Sequence, residues 1–130
     1  MLENNHEKKP KKYAGILAHP TSFPSPYGIG DLGKGAYRFI DFLANSGLNL
    51  WQVLPLGHTG FCDSPYQPFS AFAGQPLIID LDALKEYKLL SEDDFTDMPE
   101  WDPVHIDYGT LITFKTKLLK LAYERFTDPD

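Results

Sequence analysis

Between Thr59 and Pro76 the chain reads TGFCDSPYQPFSAFAGQP. Phe61, Tyr66, Phe69 and Phe72 alternate there with Pro65, Pro68, Gly60 and Gly74, and Asp63 is the one charged side chain. Loops are usually polar, while prolines and glycines break helices and strands, so the stretch fits neither pattern. Aromatic faces offer apolar area at low conformational cost, and a tyrosine adds a hydrogen-bonding tip. A sugar ring has apolar C–H faces and a hydroxyl rim, and such a surface suits it. Asp63, Ser64, Tyr66 and Gln67 supply the polar groups. Pro65 and Pro68 would stiffen the loop and lower the entropy lost on binding. Tyr66, polar-tipped between two prolines, reads as a contact residue. Phe69 and Phe72, spaced three apart beside Ala71 and Ala73, read instead as packing onto a core. Upstream, His19 closes an apolar run; it could donate to a ligand or fix its own loop, and both readings stand.

Other chemistries fare worse. His6, His19, His58 and His105 lack zinc-type spacing, and Cys62 is the lone cysteine, so no metal or cofactor is expected. Cys62 has no basic neighbour but His58 to activate it and reads as a bystander. Gly28, Gly30 and Gly33 match G-x-G-x-x-G formally. They lie well past the preceding apolar run, and Asn49 to Gln52 offer no acid where a nucleotide ribose would need one. The 130 residues carry a net charge of −6, which disfavours nucleic acid. No apolar run reaches membrane-spanning length. The start, MLENNHEKKPKK, lacks the apolar core of a secretory signal. Its lysines read as a solvated tail. With a single cysteine, these features lead to the expectation of a cytoplasmic protein.

The elements that must hold the loops follow from periodicity. Residues 1–12 read as a flexible tail. Ala14 to Ala18 form a buried strand that ends at His19-Pro20. Asp31 is expected to cap a helix whose Ala36, Phe39, Ile40 and Leu43 share one face. Gly47 takes the C-terminal glycine position, and Leu50 to Leu54 make a second strand. Residues 13–57 are thus one βαβ unit with parallel strands. Function in such folds gathers beyond the C-terminal strand ends, where the loops 19–31 and 55–75 lie. A third apolar run covers Leu77 to Leu81. Asp82 is expected to cap a short helix through Tyr87, Ser91 another, and Asp107 a last helix with Leu111, Phe114, Leu118 and Ala122 on one face. One βαβ unit cannot cover both faces of its strands, so the sequence reads as the first part of a larger α/β fold.

The runs GILAHPTSFPSPYGIGDLGKGAYRFIDFLANSG, WQVLPLG and DSPYQPFSAFAGQPLIIDLDAL closely resemble the start of amylomaltases, the 4-α-glucanotransferases or disproportionating enzymes. The resemblance implies the N-terminal part of a (β/α)8 TIM barrel with an inserted subdomain. Residues 58–130 would then hold a glucan-binding loop and the start of that helical, irregular insertion. It implies transfer of α-1,4-glucan segments between maltooligosaccharides with retention, through a carboxylate nucleophile and a carboxylic acid/base. Those acids come from later barrel strands in the family, so no residue here inherits a catalytic role. Ser64 and Tyr66 match residues lining the glucan cleft, with Asp63 and His19 as further candidates. Phe61 falls where many members have Tyr, at a second glucan position. Cys62 and His58 depart from the commoner Gly and Pro. Alone, the chain is expected to be inactive and poorly folded. The alternative is a non-catalytic α-glucan-binding module.

Overall fold

The computed structural model describes residues 12–58, 70 and 72–128. Its sheet is two short parallel strands, β1 (Gly15–Leu17) and β2 (Leu50–Gln52), with Gly15, Ile16 and Leu17 opposite Leu50, Trp51 and Gln52. Parallel strands need a crossover, and helix α1 (Lys34–Asn45) supplies it. Gly15 is required by closeness: a Cβ there would sit 2.2 Å from the Leu50 carbonyl oxygen. Beyond the ladder, the Trp51 indole N–H donates to the Ala18 carbonyl at 2.8 Å.

Helix α1 buries Ala36 and Leu43. Phe39 joins Phe23 and Trp51 in an aromatic cluster with centroids 5.0 to 5.6 Å apart. The expected apolar face is only partly covered, since Ile40 stays 47% exposed. The expected cap also moves. Gly33, not Asp31, is the N-cap, and it has no side chain to offer. Asp31 accepts from the Gly33 N–H at 3.0 Å, which closes a turn just before the helix. Gly47 sits at φ +70°, and its N–H donates to the Ala44 carbonyl, as a C-terminal glycine does.

The apolar run after Gln75 is a single 3-10 turn, Pro76–Ile78. Helix α2 (Leu81–Glu86) starts two residues earlier than its expected cap allows: Asp80 accepts from the Asp82 N–H at 2.9 Å, which leaves Asp82 inside the first turn. Ser91 opens a 3-10 turn over Glu92–Phe95 and donates from its backbone and hydroxyl to Asp94. Helix α3 (Tyr108–Thr127) is capped by Asp107, which accepts from the Thr110 N–H and hydroxyl.

The core crosses from one half of the sequence to the other. Tyr27 is buried with Leu81, Leu90, Phe114, Leu118 and Ala122. Ile29 is buried with Leu77 and Leu111, and Trp101 packs on both groups. The β1–α1 loop therefore supplies apolar side chains to the layer formed by α2 and α3. The strands are less enclosed, with Leu17 and Leu50 about half exposed. Arg125 ties the far end of α3 to Asp94 through two bonds of 2.6 and 3.0 Å and donates to the Leu89 carbonyl.

Gly28 holds this joint in two ways. Its φ is +78°, and a Cβ there would lie 2.4 Å from the Trp101 ring. Gly28→Ala combines left-handed strain with a clash, and should cost about 3 kcal/mol. Urea unfolding measures it; an unchanged midpoint would show that Trp101 does not pack here in solution.

Candidate functional site

Because β1 and β2 are parallel, His19 and the residues from Val53 to His58 leave the sheet at the same end. His19 caps the short 3-10 turn Pro20–Ser22. Its Nδ1 accepts from the Thr21 N–H at 3.4 Å and lies 2.7 Å from the Thr21 hydroxyl. An accepting Nδ1 puts the ring proton on Nε2. That Nε2 is buried without a hydrogen-bond partner among the described residues. Burial lowers the His19 pKa and outweighs an opposing pull from the Pro55 backbone, so the ring is neutral at pH 7. One nitrogen is thus committed to the loop, and the ring also senses the Pro55 backbone as an acceptor.

The rest of the loop is held by its own polar groups. Asp31 accepts from the Ser25 hydroxyl at 3.0 Å, and the Ser25 hydroxyl oxygen accepts from the Tyr27 N–H at 3.3 Å. The Tyr27 hydroxyl donates to Asp82 at the start of α2. Asp82 also pairs with Lys85 at 3.0 Å and Lys34 at 3.7 Å, and Lys85 reaches Glu92 at 3.2 Å. Burial, then the Asp82 carboxylate, pushes the Tyr27 hydroxyl up to about 12. The Tyr27 hydroxyl is the main cause holding Asp82 below its usual range. The same hydroxyl, ahead of Asp82 and Glu92, holds Lys85 above its own. Lys85 further lies 4.9 Å above the Phe95 ring.

Two side chains that sequence reasoning passed over fix the return of the chain. Gln75, 7% exposed, donates to the Gly57 carbonyl at 3.5 Å and accepts from the Leu77 N–H. It therefore joins Gly57 to the start of the Pro76–Ile78 turn. Lys115 on α3 is fully buried. Its Nζ donates to the carbonyls of Leu77 and Ile79 at 2.7 and 3.1 Å. Burial pushes Lys115 down to about 8, while Asp31 and Asp80 favour its charge. A signal was available: Lys115 stands four after Leu111 and three before Leu118, on the apolar face itself.

Of the sequence candidates, Phe61, Asp63, Ser64 and Tyr66 lie outside the described residues. His19 is placed at the strand ends as expected. Phe72 departs from its expected packing role, being 99% exposed. A cleft of about 1020 Å³ runs between the β1–α1 loop and the segment 98–106, lined among others by Ser22, Phe23, Pro26, Trp101, Pro103 and His105. Its lining residue Trp101 has an indole N–H that is buried without a hydrogen-bond partner among the described residues. Rings, prolines and scattered donors suit a polyhydroxylated ligand. Asp31, Asp80 and Asp82 each accept bonds that hold the scaffold together.

The family model described as 4-alpha-glucanotransferase matches residues 18–130. The chain belongs to the 4-alpha-glucanotransferase family. Among curated relatives of that name it is 47% identical to the Synechocystis sp. protein over 116 residues, 89% of this chain and 23% of that one. It is 49% identical to the Clostridium butyricum protein over 113 residues, 86% and 23% of the two chains. The solved amylomaltase from Streptococcus agalactiae in complex with acarbose superposes with a TM-score of 0.83 at 42% identity, covering 90% of this chain and 24% of that one. The chain thus spans about a quarter of the length of the 4-alpha-glucanotransferases it matches.

Two outcomes test the polar joints. Tyr27→Phe removes a hydrogen bond to a charged group and should lower stability by about 2 kcal/mol, read from the urea midpoint. Lys115 has a folded pKa near 8 against 10.5 for the free group. Between those values the unfolded chain holds a proton that the folded one has released, so stability should rise with pH from about 8 to about 10.5, by about 3 kcal/mol. Lys115→Met should flatten that rise; an equal slope in the variant would place the titration elsewhere.

Proposed function

We propose that the protein to which this chain contributes is a 4-α-glucanotransferase that moves α-1,4-glucan segments between maltooligosaccharides. The family match across residues 18–130 carries this reading. The parallel β1–α1–β2 order and the half-exposed strands support its fold counterpart, the opening of a (β/α)8 barrel. On this reading residues 13–57 belong to the barrel. Residues 58–130 then carry the glucan-contacting loop and the start of an insertion.

The chemistry is a retaining double displacement. A carboxylate attacks the anomeric carbon while a carboxylic acid protonates the leaving oxygen. The glycosyl-enzyme is then opened by a sugar hydroxyl in place of water. No residue of this chain is assigned either carboxyl role. Its part is to hold glucan: Tyr66 as a ring to stack on, Ser64 and Asp63 as hydrogen-bonding groups, Phe61 as an outer aromatic contact, and the His19 Nε2–H as a donor at the strand ends. No cofactor is needed for this displacement. The acidic composition and lone cysteine support a cytoplasmic setting.

The protein encoded by its own gene should convert maltotriose to glucose and longer maltooligosaccharides, resolved by chromatography. Hydrolysis alone, or no turnover with retained glucan binding, would end the transferase reading. Tyr66→Ala should lower kcat/KM on maltotriose at least about tenfold, because a stacked ring is lost from the bound glucan; unchanged kinetics would remove Tyr66 from the cleft.

A further inference from the structure

We propose that Lys115 is a positioning residue for the glucan cleft, setting the Ser25–Gly33 loop and the Pro76–Ile78 turn against each other from α3. The inference rests on the transferase reading above. Lys115 lies on a face of α3 that contacts both segments. Its Nζ donates to the Leu77 carbonyl within the turn and to the Ile79 carbonyl just after it. Asp31 and Asp80 face it electrostatically. Asp31 is the same residue that holds the Ser25 hydroxyl and the Gly33 N–H. Ser25 in turn holds the Tyr27 N–H. Next to this point the Leu32 N–H donates to the Ile78 carbonyl at 2.9 Å. Gly33 sits so close to Asp80 that a Cβ would lie 2.6 Å from its carboxylate.

The geometry makes one chain of contacts from α3 to the cleft. The loop that Asp31 shapes carries Ser25, Pro26 and Gly28, which line the cleft, and it begins at His19. An apolar side chain at 115 would leave two enclosed carbonyls without a donor and Asp31 without its facing charge. The loop and the turn would then be free to shift relative to each other. Small displacements of binding groups cost much in sugar transfer, where the reacting atoms must be aligned. Lys115 touches no substrate itself, and its effect passes through Asp31 and the two carbonyls.

The test uses the protein encoded by its own gene, with maltotriose as substrate and acarbose as probe. Lys115→Met should raise KM for maltotriose about tenfold and weaken acarbose binding in step, with a smaller change in kcat. Asp31→Asn should move both in the same direction, and the double variant should be no worse than Lys115→Met, because both act through one contact. Lys117→Met, which breaks only an exposed pair with Asp97, should leave both constants unchanged. A merely structural role would lower the melting temperature and leave KM and acarbose affinity at the wild-type values; that result overturns the proposal. Where Lys115→Met fails to fold, Asp31→Asn decides on the same readouts. A wild-type protein that neither converts maltotriose nor binds acarbose would overturn the transferase reading and this inference with it, whereas an active wild type with indifferent variants would overturn the inference alone.

Discussion

An ammonium with no exposed surface has to be surrounded by oxygen, or it gives up its proton. Lys115 meets that condition by drawing in two backbone carbonyls and sitting in the field of two carboxylates. The requirement organises its neighbours. The chain after Gln75 has to make a tight turn to present both carbonyls, and Pro76 at the start of that turn favours it. Asp31 has to stay at the end of its loop. Burying the charge makes the loss of either carbonyl costly, whereas hydrophobic contacts tolerate repacking.

The β1–α1 loop is unusual in being core on one side and candidate site on the other. Tyr27 and Ile29 are buried among residues of α2 and α3, while Ser25, Pro26 and Gly28 line the cleft. Serving both the core and the cleft over so short a span requires the backbone to be held at several points. Ser25, Asp31 and the φ of Gly28 do this. The Tyr27 hydroxyl then avoids the penalty of a buried polar tip by bonding Asp82. Gly28 completes the fit by letting Trp101 approach the backbone.

Much of this was readable in the residues. The βα order, the Asp107 cap and the apolar face of α3 follow from periodicity and end signals that act locally. The misplaced caps are also local, but ambiguous: Asp80 and Asp82 are both good cap residues, and only the turn before them decides which one has the extended backbone a cap needs. The Asp31 expectation failed because Gly33 reaches the cap position first, pressed against Asp80. Those outcomes depend on tertiary packing, which the local sequence does not encode. Lys115 was missed because a lysine on an apolar face is usually read as reaching for solvent; its partners stand more than thirty positions away. Phe72 was read as core from its alanine neighbours, yet its ring is exposed. In the candidate site the residue types around Tyr66 suggested a sugar-contacting loop, and that stretch lies outside the described residues. The contact of Gln75 with Gly57 was not legible, because a glutamine beside a proline carries no distinctive pattern.

Strands of three residues make a short hydrogen-bond ladder, so the sheet by itself fixes the strand ends weakly. A candidate site at those ends must take its precision from somewhere else. Here side-chain contacts supplement that ladder: His19 on Thr21, Trp51 on Ala18, Gln75 on Gly57, Tyr27 on Asp82, Lys115 on Leu77 and Ile79. Each joins a loop to a neighbour far along the chain or closes the loop on itself. Sugar hydroxyls compete with water for every donor, so a glucan gains little from groups that must first be ordered. Side chains ordered beforehand by the scaffold avoid that cost. The burial of Lys115 and Gln75, unfavourable taken alone, therefore orders loops that the short ladder leaves weakly fixed.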